Sequence, residues 1–212
     1  MKIINAARFA GIVFIATGLI TLLGLGPGLD PRLDGGARAD WFAANGGLWM
    51  VGGWLWLLAI FAWMVLLVSF LWSYSPAHRI ATMLQSGLML IAATLAIAGV
   101  LVWMNMLPAA VETGGDLLAF TDGLALTFFG AGLFMGGIVT AWLGMDMRLM
   151  DKLPNGWVLP GILAGLLLTP SPFLLPRITL HLWLALAVFI AWCAILAVQR
   201  KQPDAYPEWL GL

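Results

Sequence analysis

The sequence predicts an all-α, polytopic integral membrane protein: a six-transmembrane-helix bundle whose fifth span is broken by proline. Of 212 residues, 62% are hydrophobic and 9% charged, where a soluble domain carries about a quarter charged. Mean hydropathy is +0.99. Apolar stretches able to cross a hydrocarbon core of about 30 Å recur at approximately 8–28, 48–73, 79–106, 120–145, 155–174 and 178–199. Unpaired backbone groups cannot face lipid, so each stretch is expected to be helical. Residues 1–199 then form one transmembrane domain and 200–212 a short tail.

The first span follows Lys2 and Arg8 and runs apolar from Phe9 to Leu25. Ala37-Arg38-Ala39 imitates a signal-peptide cleavage site, but it lies too far beyond the apolar core, so an uncleaved span is expected. The loop after it, DPRLDGGARADWFAANGG, has turn formers at both ends. It reads either as a short interfacial helix near residues 37–45, with Trp41 and Phe42 at headgroup level, or as an irregular loop with one anchoring Trp.

The second span carries Trp49, Trp56, Trp63 and Phe70 seven residues apart. A heptad drifts only about 20° per repeat, so the four rings stay on one side of the helix. From Leu48 to Trp72 the span measures about 37 Å, which exceeds the core and calls for tilt. Trp49 and Trp72 are expected at opposite interfaces as anchors. Trp56 and Trp63 lie at depths without water, so their indole N–H groups need an acceptor or the rings a flat partner, such as a lipid tail, a pigment or another subunit's helix.

Packing motifs mark the later spans. Gly132 and Gly136 in span four and Gly161 and Gly165 in span five are GxxxG pairs, and Ala92 with Ala96 in span three is a small-residue variant. Span five contains Pro154, Pro160, Pro170, Pro172 and Pro176. Proline is tolerated in a helix's first turn and disruptive further in, so a clean helix is expected from Gly156 to Leu168, roughly 20 Å long. The remainder, TPSPFLLP, either completes the crossing as non-helical chain or caps a short helix. Broken helices can mark transport sites, although a proline-rich turn at a helix end is the more ordinary meaning. Nothing in the spans supports an inverted repeat.

Lys2, Arg8, Arg79, Arg148, Lys152, Arg200 and Lys201 fall on one side of the spans, and Arg32, Arg38 and Arg177 on the other. The positive-inside rule then places both termini in the cytoplasm, with the cell (inner) membrane as the expected location. The opposite side is acidic, with Asp30, Asp34, Asp40, Glu112, Asp116 and Asp122.

Chemistry is sparse. Zero net charge gives no basic surface for nucleic acid, and Cys193 alone makes no disulfide or thiolate metal site. Every Asp, Glu, Lys and Arg falls in a loop or within about two turns of a span end, which disfavours proton or sodium coupling and leaves room for a facilitator. His78 and His181 lie on opposite sides and cannot share one haem iron. His181 could serve as a single axial ligand, while a hydrogen-bonded histidine near the interface is its more ordinary role. Metalloprotease, serine-hydrolase and paired-carboxylate patterns are absent, so no catalytic residue is assigned and an enzyme is not expected. The nearest polar constellation is Arg177 and His181, with Asp116 and Asp122 from the loop entering span four. If spans four and six adjoin, Arg177 can pair with either acid and His181 can line a shallow mouth.

Ala7-Arg8-Phe9-Ala10-Gly11 at the start of span one and Leu153-Pro154-Asn155-Gly156-Trp157 before span five resemble the motifs of an uncharacterised bacterial family of small polytopic membrane proteins. The resemblance covers about a third of the chain. It implies architecture and carries no site, and the proline-rich end of span five departs from that family's smooth helix.

The expected role is therefore a non-catalytic accessory subunit of a larger bioenergetic or transport assembly, contacting membrane lipids and other subunits. A small-molecule or lipid facilitator using the broken span five is the alternative. The third reading is a haem, pigment or quinone binder contacting His181 or Trp56 and Trp63. Bound lipid is the one associated molecule expected, and no resident cofactor is assigned.

Overall fold

The computed structural model describes residues 2–30, 33, 35–75, 79–150, 153–175 and 177–199. Six apolar helical spans run Ile3–Leu29, Gly35–Tyr74, Ile80–Thr113, Gly115–Leu149, Asn155–Leu174 and Leu180–Ala197. No strand occurs among the described residues. The protein is a membrane-embedded helical bundle whose apolar outer faces meet lipid. The tail 200–212 and His78 lie outside the described residues.

The first span is composite. Helix α1 (Ile3–Ile20) passes into a π-helical segment, Thr21–Leu25, and then a short helix α2, Gly26–Leu29. Pro27 has no N–H to donate back into the preceding turn, and it sits at the start of α2, where that loss costs least. Helix α3 (Gly35–Tyr74) bends at Asn45, whose φ of −128° and ψ of 21° are not helical. Asn45 Nδ2 donates to the Trp41 carbonyl at 3.0 Å, which helps satisfy the end of the first segment. The stretch near 37–45 is thus a helix, not an irregular loop.

Helix α4 (Ile80–Thr113) turns into α5 (Gly115–Leu149) through Gly114 and Gly115, with φ of 70° and 59°. Both values lie in the left-handed region, where only glycine is free of strain, and they let two long helices reverse with almost no loop. Helix α6 (Asn155–Leu168) begins one residue before the expected Gly156 and ends at the expected Leu168. The residues after it form a single turn, α7 (Ser171–Leu174), so the described part of TPSPFLLP, residues 169–175, caps a short helix. Helix α8 is Leu180–Ala197.

The six spans form a closed ring in chain order. The first, α1, packs on α3, α3 on α4, α4 on α5, α5 on α6 and α6 on α8, and α8 returns to α1. Arg8 Nη2 donates to the Ala197 carbonyl at 3.2 Å across that closure.

Small residues bring neighbouring backbones together. A Cβ at Gly132 would stand 2.7 Å from the Ala92 carbonyl oxygen, and one at Gly99 would stand 2.8 Å from that of Ala125. Helices α4 and α5 thereby gain dispersion that lipid, as apolar as their side chains, cannot supply by exclusion. Gly165 meets the α5 backbone at Gly137 and Ala141. The other glycine of each motif does something different: Gly136 lies under the Trp63 ring and Gly161 under the Trp192 ring. Each GxxxG therefore divides between one backbone approach and one indole seat.

Gly132→Val should overpack the α4–α5 contact and cost about 1–3 kcal/mol, read as an earlier midpoint when protein in mild detergent is titrated with SDS. Gly123→Ala, whose added Cβ meets nothing within 4 Å, should not lower the midpoint. Equal midpoints for the two variants would remove the close-packing account.

Candidate functional site: a cavity on the ring axis

The ring ladder of α3 points inward. Trp49 packs with Trp41 and Phe42, Trp56 with Phe129, Trp63 with Phe189, and Phe70 with Tyr74, Trp157 and Trp192. Trp56 and Trp63 find their acceptors inside the protein. Trp56 Nε1 donates to Thr21 Oγ1 at 3.1 Å, and Trp63 Nε1 donates to Thr140 Oγ1 at 3.1 Å. Neither needs an external partner for its N–H. The expectation that Trp49 anchors at an interface is corrected: it is 4% exposed, because the bent start of α3 folds Phe42 and Trp41 over it. Trp72, at 75%, does stand outside.

The ladder fills the axis unevenly. From Trp63 to Tyr74 it is packed solid, with Phe70 stacked on Trp192 at 5.4 Å and Trp192 Nε1 donating to the Trp157 carbonyl at 2.7 Å. From Trp63 toward the end of the bundle bearing Arg38, the centre is hollow. A cavity of about 420 Å³ lies there, with walls from all six spans. Small-molecule sites are typically about 300–1,000 Å³ and mostly apolar, so its size suits one small ligand or chain.

Phe14, Trp56, Trp63, Trp103, Phe129 and Phe189 give the wall its aromatic faces. Polar atoms collect on the α1 side, where the π-helical segment begins. Thr17 Oγ1 donates to the Leu55 carbonyl at 3.1 Å, and Thr21 Oγ1 donates to the Thr17 carbonyl at 2.7 Å while accepting Trp56. Beyond the π segment Gly26, Leu29 and Asp30 line the end of the cavity, and Arg177 and Thr179 line it from the chain entering α8. Short π segments are often found at functional sites. Trp103 Nε1 is buried on this wall with no acceptor among the described residues.

The polar constellation expected from sequence is rearranged. Asp122 takes Arg38, not Arg177: Nη1 lies 2.6 Å from Oδ2 and Nη2 lies 3.2 Å from Oδ1. Arg38 is 1% exposed and also donates to the Gly28 carbonyl at 2.8 Å, binding the start of α3 to α2 and α5. Arg177 precedes α8 and lines the cavity rim with Asp30. It does not share a helix face with His181, and α6 stands between α5 and α8 in the ring. Asp116 is exposed in the first turn of α5. At the other end Asp146 accepts Gln85 Nε2 at 3.0 Å and faces Arg79 at 3.5 Å.

His181 does not line a mouth. It is buried, with Nε2 3.2 Å from Ser171 Oγ, and Ser171 Oγ also donates to the Leu168 carbonyl at 2.6 Å. Nδ1 is buried as well, with no hydrogen-bond partner among the described residues. The pair ties α7 to α8. Among the described residues no group of His, Cys, Asp or Glu is close enough to hold a metal ion.

Three features of the site escaped sequence reasoning. Arg38 sits 84 residues from Asp122, and its loop reads as solvent-facing. Ser171 is hidden between two prolines. The π segment has a weak signal in Gly24-Leu25-Gly26-Pro27-Gly28, a stretch that resists regular helix.

Arg38→Met should cost about 3–5 kcal/mol, because it strands a buried carboxylate. Arg38→Met with Asp122→Leu should recover most of that loss in the same SDS titration. A single variant as stable as the parent would show that the pair is not desolvated. The chain matches no family model, no curated protein and no solved structure.

Proposed function

We propose that this chain is a small lipid-type facilitator that holds one mainly apolar, amphipathic molecule on the axis of its helix ring. The observation that carries the reading is the cavity of about 420 Å³, walled by all six spans and rimmed by Asp30, Arg177 and Thr179. Aromatic and aliphatic walls accept a hydrocarbon or flat ring, and the charged rim suits a polar head. The packed rungs at Phe70, Trp157 and Trp192 close the opposite end, so holding a ligand needs no motion and release across the membrane would need one. The setting is the bacterial inner membrane with both termini cytoplasmic, supported by the distribution of Lys and Arg and by the likeness of Ala7-Arg8-Phe9-Ala10-Gly11 to the uncharacterised family. The cavity then opens away from the cytoplasm.

An accessory subunit of a larger membrane assembly is the second reading. Trp54, Phe61 and Trp72 favour it, standing exposed along one line of α3 where a partner helix would cover them. Native mass measurement in gentle detergent that finds only free chain or homo-oligomer would remove it.

The facilitator reading is tested with a single-chain phospholipid brominated in its chain, which quenches tryptophan on contact. Saturable quenching at one lipid per chain is expected. Ala59→Phe places a ring between Trp56 and Trp63 on the cavity wall and should weaken binding by about tenfold or more, that is by at least about 1.4 kcal/mol, in protein that keeps its unfolding midpoint. Equal saturable quenching in the two proteins would sink the proposal.

A further inference from the structure

A second cavity, of about 610 Å³, opens on the outside of the ring between α5 and α7, at the Arg38 end. Its floor is Gly115, Ala119, Gly123, Thr127 and Ala131, four residues apart on α5 and so in one row. Ala119, Gly123 and Thr127 are exposed, and a Cβ at Gly123 meets nothing within 4 Å, so no contact within the ring requires that glycine. Arg38 and Asp122 line the same groove and form its polar part. The Arg38 Nε, buried with the rest of its side chain, has no acceptor among the described residues.

Leu126 and Leu175 line both the groove and the axial cavity. The wall between the two spaces is there one side chain thick. Leu175 is the extended residue that ends α7, with φ of −72° and ψ of 141°. The proline-flanked turn thus sets one of the two dividing side chains on a short connector and not on a long helix.

We propose that the groove is the lateral entrance by which the ligand of the axial cavity arrives from the lipid. The occupant is an amphipathic lipid, its polar head beside the Arg38–Asp122 pair and its chain passing between Leu126 and Leu175. This rests on the facilitator reading. A helix from a partner protein fits the groove less well, because the Arg38–Asp122 pair makes the groove partly polar. A headgroup oxygen, unlike an apolar helix face, also offers an acceptor to the guanidinium.

The test separates rate from affinity. Chain in nanodiscs is mixed with vesicles containing the brominated single-chain phospholipid, and both the rate and the end point of saturable quenching are followed. Gly123→Leu fills the groove where nothing stands in the way and should slow quenching by about tenfold while leaving the dissociation constant unchanged. Thr127→Phe, on the same row, should do likewise and guards against a folding defect in the first variant. Rates unchanged in both variants would overturn the entrance while the facilitator reading stands. Equal loss of rate and affinity would overturn it too, by making the groove part of the binding site. A protein that co-purifies with the parent and is lost in Gly123→Leu would overturn the lipid occupant in favour of a helix. Absence of saturable quenching in the parent would overturn the facilitator reading itself.

Discussion

Trp63 lays its indole over Gly136 and donates its N–H to Thr140 one turn further along the same helix. The ring of helices is organised around this contact. An unmatched donor at that depth costs about 1–3 kcal/mol, and no water is present to answer it. Glycine at 136 gives the ring room, and Thr140, bonded back to the Gly136 carbonyl at 2.7 Å, presents its oxygen as the acceptor. With α3 fixed to α5 across the axis, the rungs beyond Trp63 close solidly on α6 and α8. The rung before it, Trp56, is drawn toward Thr21 at the start of the π-helical segment, and the space between the two rungs is left empty. One hydrogen-bonded indole thus decides which half of the bundle is plug and which is chamber.

The charged side chains follow a separate rule. They are confined to the two ends, Arg38 with Asp122 at one and Asp146 with Arg79 and Gln85 at the other. Each pairing joins two helices near the ends of their spans, where the cost of burying an ion is smaller than at mid-span. The axial cavity is left with hydroxyls and indoles as its internal polar groups. Its chemistry is recognition by shape and aromatic contact, with charge only at the rim.

The number of helices and the break in the fifth were legible because hydrocarbon thickness imposes a length on each apolar run. Helix ends were less legible. Helix α3 starts at Gly35 instead of near residue 48, and α4 reaches Thr113 instead of 106, because amphipathic turns beyond the hydrocarbon carry no hydropathy signal. The direction of the Trp ladder was not legible at all. In water a polar face tells the outside of a helix from the inside, but in lipid both faces are apolar, so a heptad of rings reads the same facing either way. Trp54 and Trp56 are near neighbours of one residue type, and one faces lipid while the other faces the axis. The partner of Asp122 was illegible for another reason: Arg38 and Arg177 are both basic residues at the same end, and the choice falls to Arg38 because the start of α3, ahead of the bend at Asn45, lies against both Gly28 and Asp122.

Because the spans sit in the ring in the order they occur in the chain, the ring closes between its first and sixth members. During synthesis, when N-terminal segments emerge first, five helices form an open crescent with the aromatic wall turned toward lipid. Phe189 and Trp192 reach their partners on α3 only when α8 arrives. Until then the inner faces of the first five helices lie open on one side, and the chamber has no sixth wall. Its volume is therefore a property of the finished ring alone, and any change that loosens the seam between the first and last spans opens the chamber before it disturbs the other contacts of the ring.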